Sequence, residues 1–466
     1  MFKNYFKIAW RNLIRNKVYS GINIAGLAVG MAVAILIGLW IQDELWYNKS
    51  FTNYNRVVHF LQNQTTGSEV ATVPTIPLPL VQELRNKYGS DFKYLALCRY
   101  QESHILAFKD KKISKTGIYV EPEMPQILSL KMVKGTLLGI QDESTIMISQ
   151  SLAKIIFDNT DPINQTVLTD DKKTYRISGV FKDFEPNTEF KGVDVLLPWA
   201  ALVAQKDWIK KAYQQWNNNS FLLYGQLSDH ADLNQVNAKI RNVFDRKPNR
   251  EGKSEILLQP MSRWHLYGEF KQGKNTGGTI QYVWMFGLIG LFVLLLACIN
   301  FMNLSTARSQ IRAKEVGVRK AIGSERKQLI VQFLSESVLI AFVALLIAIL
   351  LVGLALPSFN SLCEKSLHFP WSNPVFWLTT AGFTFLTGLV SGSYPALYLS
   401  SFNTVKVLKG TFKAGRFAAV PRQVLVIFQF SISVALIIGT IVIFQQIRYA
   451  KNRPLGYDKN GLITID

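Results

Sequence analysis

Gly252-Lys253-Ser254 would, in the right surroundings, close a phosphate-binding loop whose lysine and hydroxyl hold a nucleotide's phosphates and magnesium. Those surroundings are missing, because Lys247 stands where the loop's first glycine belongs and no apolar strand leads into it. His59, His104, His230, His265 and His368 are too scattered for a metal site, and neither a His-Glu-x-x-His helix nor a paired Cys-x-x-Cys occurs. Cys98, Cys298 and Cys363 give no disulfide framework. Nucleophile, base and metal constellations are all lacking, so the chain is expected to be no enzyme and to hold no catalytic, cofactor or metal residues.

Instead, the sequence is built around lipid. Of its 466 residues 48% are hydrophobic and 18% charged, and residues 18–42, 275–307, 337–363, 366–405 and 423–447 contain no Asp, Glu, Lys or Arg. Each stretch exceeds the roughly 20 apolar residues that cross a bilayer core. Spans are expected at 21–42, 280–304, 333–356, 374–397 and 423–446. Within them acids are nearly absent; Glu336 sits at the edge of the third, which disfavours a proton or ion relay.

The net charge of +20 does not point to nucleic acid, because most of it lies beside these spans. Residues 1–20 carry five basic side chains and no acid, 305–332 seven against two acids, and 398–422 five and none. Positive flanks mark the cytoplasmic side. The expectation is a multi-pass protein of the inner (plasma) membrane with its N-terminus in the cytoplasm. Its first span is read as an uncleaved anchor, since the apolar run outlasts a signal peptide's. Arg448, Lys451, Arg453 and Lys459, in the second outer segment at 447–466, go against the charge rule.

Residues 43–279 form the large extracytoplasmic domain, read as α+β. Strands are expected at 56–62, 105–109, 174–181, 221–227 and 255–259, and helices at 79–88, 149–157, 199–216 and 233–244, the last capped by Asp232. The fold class is therefore an α-helical integral membrane protein of about five transmembrane helices with this domain attached.

Two segments offer surfaces. Over residues 1–20, Phe6 and Trp10 alternate with Arg11 and Arg15 at helical spacing, so an amphipathic helix would lie flat on membrane lipid. Between the second and third spans, Ile311, Val318 and Ile322 fall on one helical side, Glu315 and Arg319 can pair, and Gly317 and Gly323 interrupt or end the helix. Such a helix, held between spans in the cytoplasmic loop 305–332, would be a rigid docking surface; the linker 398–422 is the second cytoplasmic connection. Gly26 with Gly30 and Gly388 with Gly392 would let helices approach closely.

Glu315-Val-Gly317-Val-Arg319-Lys320-Ala321-Ile-Gly323 resembles the E-x-G-x-x-[RK]-A-x-G loop signature of MacB/FtsX-type ABC permeases. Pro395-Ala396 and Ser401 to Lys409 resemble the exit from the last span of that family's unit, with Asn403 and Thr404 near its second proline position. Ile148 to Lys154, Asp161-Pro162-Ile163 and Tyr175 to Asp183 are similar to landmarks of the MacB-like periplasmic core domain, with Asn164 in place of a usual glycine.

The resemblance implies a non-catalytic permease subunit that couples ATP hydrolysis by a separate cytoplasmic ABC-type ATPase to movement of the outer domain. Drugs, peptides or lipoproteins would be exported or extracted. It implies docking of that ATPase through Glu315, Gly317, Arg319, Lys320, Ala321 and Gly323, a permease dimer or pseudo-dimer, and a periplasmic adaptor as a further partner. FtsX-like relatives imply the alternative of a regulator or sensor that activates an envelope hydrolase without transport. By analogy with duplicated relatives the chain is expected to be a truncated or N-terminal portion of a protein of roughly 800 residues.

Overall fold

A computed structural model describes residues 2–15, 17–158, 160–170, 173–245, 247–248, 252–307, 309–402 and 416–453, with only the backbone of 2–8, 309–311 and 416–419. The chain divides into two units, Met1–Leu39 with Phe286–Asp466, and Trp40–Met285.

Among the described residues, helices Lys17–Leu45, Thr279–Ala307, Arg326–Cys363, Pro374–Ser400 and Val420–Asn452, the first two of which run into the second unit at one end, are long and apolar enough to cross a membrane. Even the 27-residue fourth helix, at about 1.5 Å per residue, outreaches the roughly 30 Å hydrocarbon core. Asn373 caps that helix by accepting from the amides of Val375 and Phe376. The third helix ends at Glu364, whose φ of 52° is left-handed. A shorter helix, Phe2–Arg15, packs on the third span through a face that buries Ala9.

The third and fourth spans meet along small residues. On the fourth, Thr380, Thr384, Thr387, Gly388, Ser391 and Gly392 are buried. The hydroxyls of Thr384 and Thr387 donate to carbonyls four residues back, both at 2.8 Å, so they are satisfied within their own helix. Side chains this short let two backbones come together where lipid gives no hydrophobic drive. A Cβ added at Gly388 would stand 2.6 Å from the Val338 Cα, and one at Gly392 2.6 Å from the Ser337 Cβ. Between the first and second spans, a Cβ at Gly30 would meet that of Ala297 at 2.6 Å, and one at Gly26 would meet the Asn300 amide at 3.2 Å.

The second unit carries a 12-stranded sheet. Strands Val193–Pro198, Thr145–Ser149, Thr174–Phe181, Thr166–Leu168, Glu102–Phe108 and Lys111–Val120 pair in that order, and the last returns to pair with the first, so the six close a small barrel. From Lys111–Val120 the sheet continues through Phe92–Cys98, Leu222–Leu227 and Val57–Thr66 to Ser254–Pro260. Alternate residues feed two cores: Leu95 and Leu97 enter one, Ala96 and Cys98 the other, and Ile146, Met147 and Ile148 divide likewise.

The expected 174–181 strand forms as Thr174–Phe181. The expected helix over 199–216 is instead two, Trp199–Gln205 and Asp207–Ala212, broken at Lys206, whose extended backbone (φ −120°, ψ 97°) ends one and starts the other. Asp232 caps Leu233–Ile240 by accepting from Asn234 and Gln235. Asn164, which the motif resemblance sets in place of a glycine, adopts φ 64°, a left-handed position that asparagine tolerates better than most side chains. The Arg176 guanidinium donates to its side chain at 2.9 Å.

Gly388→Val should destabilise the membrane unit by about 1–3 kcal/mol, because the nearest atom is backbone and cannot give way. Gly382→Val, with nothing within 4 Å of its added Cβ, should leave the thermal midpoint of the purified protein in detergent unchanged.

Candidate functional site

Segment 309–321, between the second and third spans, is a helix, Ser309–Ala321. Ile322 closes onto Val318 and Gly323 onto Lys320 through backbone hydrogen bonds of 3.1 Å, and Gly323 takes φ 100°, a conformation that glycine alone adopts freely. Two residues later the third span begins, with Glu325 and Gln328 forming a reciprocal cap. Gly317 does not interrupt the helix; it lies buried inside it.

The helix buries Ala313 and Val316 against Leu329 and Phe333 of the third span, Ala396 and Leu399 of the fourth, and Phe402. Val318 and Ile322 lie on the opposite side and are 48% and 81% exposed. Apolar packing alone would leave the helix free to rock, but three polar ties oppose that.

Arg312 grips Glu336 of the third span with two parallel hydrogen bonds, both 2.7 Å. The guanidinium lies 5.7 Å from the Phe333 ring centre. Only 17% of the Arg312 side chain and 8% of Glu336 remain exposed. Burial works against the arginine's charge, but the hydrogen bonds and charge of Glu336 outweigh it and raise its pKa. Beside this pair the Tyr19 and Ser305 hydroxyls meet at 2.6 Å, tying the first span to the second.

The second tie is Arg319, which pairs with Glu315 at 2.7 Å and donates to Gln332 of the third span. The third is Lys320, whose ammonium donates to the carbonyls of Ser400 and Phe402 at 2.7 and 2.8 Å. Those carbonyls end the fourth span, where unpaired acceptors and the negative end of the helix dipole favour a cation. Burial, with the Arg326 charge adding to it, lowers the lysine's pKa.

The expected docking residues therefore divide. Glu315, Ala321 and Gly323 are exposed, Arg319 and Lys320 are half-buried and turned to the spans, and Gly317 is buried. Arg312, Gln332 and Glu336 were not anticipated as partners of this helix. Sequence offers one signal for the pair, an acid at the edge of a span otherwise free of acids, but nothing in a separation of 24 residues names its partner. On the helix Phe2–Arg15, Trp10, Arg11 and Arg15 are exposed, while the Phe6 side chain lies outside the described residues. Of the exit landmark, Ser401 and Phe402 follow the fourth span, and 403–409 lie outside the described residues.

Residues 20–243 match the MacB-like periplasmic core domain and residues 287–404 the FtsX-like permease C-terminal domain. The chain is a MacB/FtsX-type ABC permease. It is a multi-pass membrane protein with a MacB-like periplasmic core domain, and the loop helix falls within the FtsX-like match. It is 22% identical over 426 residues to the macrolide export ATP-binding/permease protein MacB of Bdellovibrio bacteriovorus, an alignment covering 86% of this chain and 60% of that protein. To the uncharacterized ABC transporter permease YknZ of Bacillus subtilis it is 20% identical over 418 residues, covering 86% of this chain and 98% of YknZ. A solved periplasmic region of MacB from Actinobacillus actinomycetemcomitans aligns with 45% of the chain and 90% of its own length, at 14% identity and a TM-score of 0.33. The permease spans 60% of the length of the Bdellovibrio relative and 52% of a Neisseria gonorrhoeae MacB.

Glu336→Gln in this permease should cost about 3–5 kcal/mol of stability, because it leaves the Arg312 charge buried and unpaired. The double variant Arg312→Met/Glu336→Leu should recover most of that loss. Thermal unfolding in detergent measures both.

Proposed function

We propose that this permease couples ATP hydrolysis by a separate cytoplasmic ABC-type ATPase to movement of its periplasmic core domain, for export or extraction of a substrate across the envelope. One observation carries the reading: the helix Ser309–Ala321 is tied to the third span by Arg312 and Arg319 and to the end of the fourth by Lys320. A solvated loop needs no buried ion pair, whereas a helix that receives force must not yield.

In this reading the ATPase seats on the free side of the helix. Val318 and Ile322 form an apolar knob, flanked by Lys314, Glu315, Arg326 and Lys327, all exposed. The apolar pair supplies contact area and the charges around it set orientation. Arg319 and Lys320 act from behind, holding the helix to its spans. With the N-terminus in the cytoplasm, as this reading requires, the exposed Arg11 and Arg15 of the helix Phe2–Arg15 would face lipid headgroups or the same partner.

The names of the MacB relatives supply the class of task, macrolide export, and drugs, peptides and lipoproteins are all compatible with it. A permease dimer or pseudo-dimer would present two such helices, and a periplasmic adaptor would join from the other side.

Ile322→Asp should reduce co-purification of the partner ATPase by about ten-fold or more, as the loss of a central interface anchor does. Its thermal midpoint should stay unchanged, since the side chain touches solvent. Opposite-charge replacement of Glu315 and Arg319 should also weaken retention. If pull-down from membranes recovers as much ATPase with Ile322→Asp as with the unaltered permease, the docking role of this face is lost.

A further inference from the structure

A cavity of about 250 Å³ opens in the periplasmic core domain beside strand Val57–Thr66 and its hairpin partner Glu69–Val73. Its walls include the rings of His59, Tyr224, Trp264 and Phe270, together with one carboxyl group, Glu189. Nothing in the coupling role described above uses it.

Three of these rings, His59, Tyr224 and Trp264, hold each other in place. His59 stacks on Tyr224 with centres 4.6 Å apart and meets Trp264 at 5.9 Å and 72°, and the Tyr224 and Trp264 centres are 5.3 Å apart. The Trp264 indole donates to the Gln259 carbonyl at 2.8 Å, so its orientation is set. Nε2 of His59 is buried without a hydrogen-bond partner among the described residues. Burial drives the His59 pKa down to about 4, so the ring is neutral near pH 7 and brings no positive charge of its own.

Glu189 is exposed and fixed through its backbone, and among the described residues its carboxyl group has no hydrogen-bond partner. Its amide donates to the Asn48 side chain at 2.9 Å, and its carbonyl accepts from Gln101 at 3.0 Å. The neighbouring His265 is engaged by Glu44 and stacked on Tyr47 at 3.8 Å. Desolvation raises the Glu189 pKa, and the neighbouring His265 opposes the rise.

An aromatic wall with a carboxylate beside it is the chemistry that recognises organic cations. The negative faces of the rings attract a spread positive charge, and the carboxylate supplies the counter-charge. An anion would face Glu189, and a purely apolar guest would leave its charge partly dried and unanswered. The volume is below the roughly 300 Å³ at which drug-sized pockets begin, so the guest is small.

We propose that this cavity binds a small organic ammonium ion, its cation against the rings and facing Glu189.

The test uses the full chain in a maltoside detergent free of choline lipids. Choline is titrated calorimetrically against its neutral isostere, in which carbon replaces the ammonium nitrogen. Choline should bind saturably and the neutral isostere at least about ten-fold more weakly, with Glu189→Gln losing about ten-fold in choline affinity. Phe270→Leu should weaken choline as well, and unchanged melting of both variants shows that they fold. Equal binding of the two probes, full choline affinity in Glu189→Gln, or no saturable choline binding would each overturn the assignment.

Discussion

Arg312 and Glu336 can remain charged beneath the protein surface only because each replaces the water the other has lost. Removing two ions from water costs several kcal/mol apiece, and the attraction between them returns this only when the geometry is good and the remaining hydrogen-bonding positions are filled. The fork of the guanidinium meets both carboxylate oxygens, so the geometry is good. A pair of this kind adds little net stability, but it admits one orientation. Every other feature of the loop helix follows from that orientation: Ala313 and Val316 turn inward, Lys320 reaches the end of the fourth span, and Val318 and Ile322 are left outside.

Glycine and hydroxyl residues do for the spans what the ion pair does for the loop. Gly388 and Gly392 remove the side chains that would separate the third and fourth helices, and the threonines between turns of the same face are small enough not to replace them. Close approach makes the contact depend on shape, so the two spans have a defined rotation about their axes. The Arg312 partner at position 336 and the Lys320 partners at 400 and 402 are thereby held at compatible heights. Rigidity in the loop thus draws on packing within the membrane, which is why the two sets of residues belong to one argument.

In the periplasmic core domain the organising constraint is a sheet covered on both faces. Strands such as Phe92–Cys98, Thr145–Ser149 and Val193–Pro198 carry continuous apolar runs, Leu95–Cys98, Ile146–Ile148 and Val195–Leu197, because successive side chains there enter different cores. The alternation that reveals a half-exposed strand is absent there, and none of these three was expected from the residues alone. Strands with a polar face, such as Thr174–Phe181, were recognised. The cavity beside Val57–Thr66 belongs to the same order of information. Its lining comes from residues as distant as His59, Glu189 and Trp264, which share no local pattern.

Local composition alone determined the five spans, their basic flanks and the existence of an amphipathic helix between the second and third, because membrane insertion and helical periodicity are read within a window of a few turns. It also carried the motif by which the family is recognised, since Glu315 to Gly323 is one continuous segment. Only the tertiary structure decided which side of that helix is free. Val316 and Val318 are equally apolar, and their fates are opposite because Glu336 lies in another helix and fixes the rotation from outside the segment. Arg319 and Lys320 likewise look like exposed cations until the end of the fourth span is brought beside them, and what a side chain touches across dozens of residues is set by packing rather than by its neighbours in the chain.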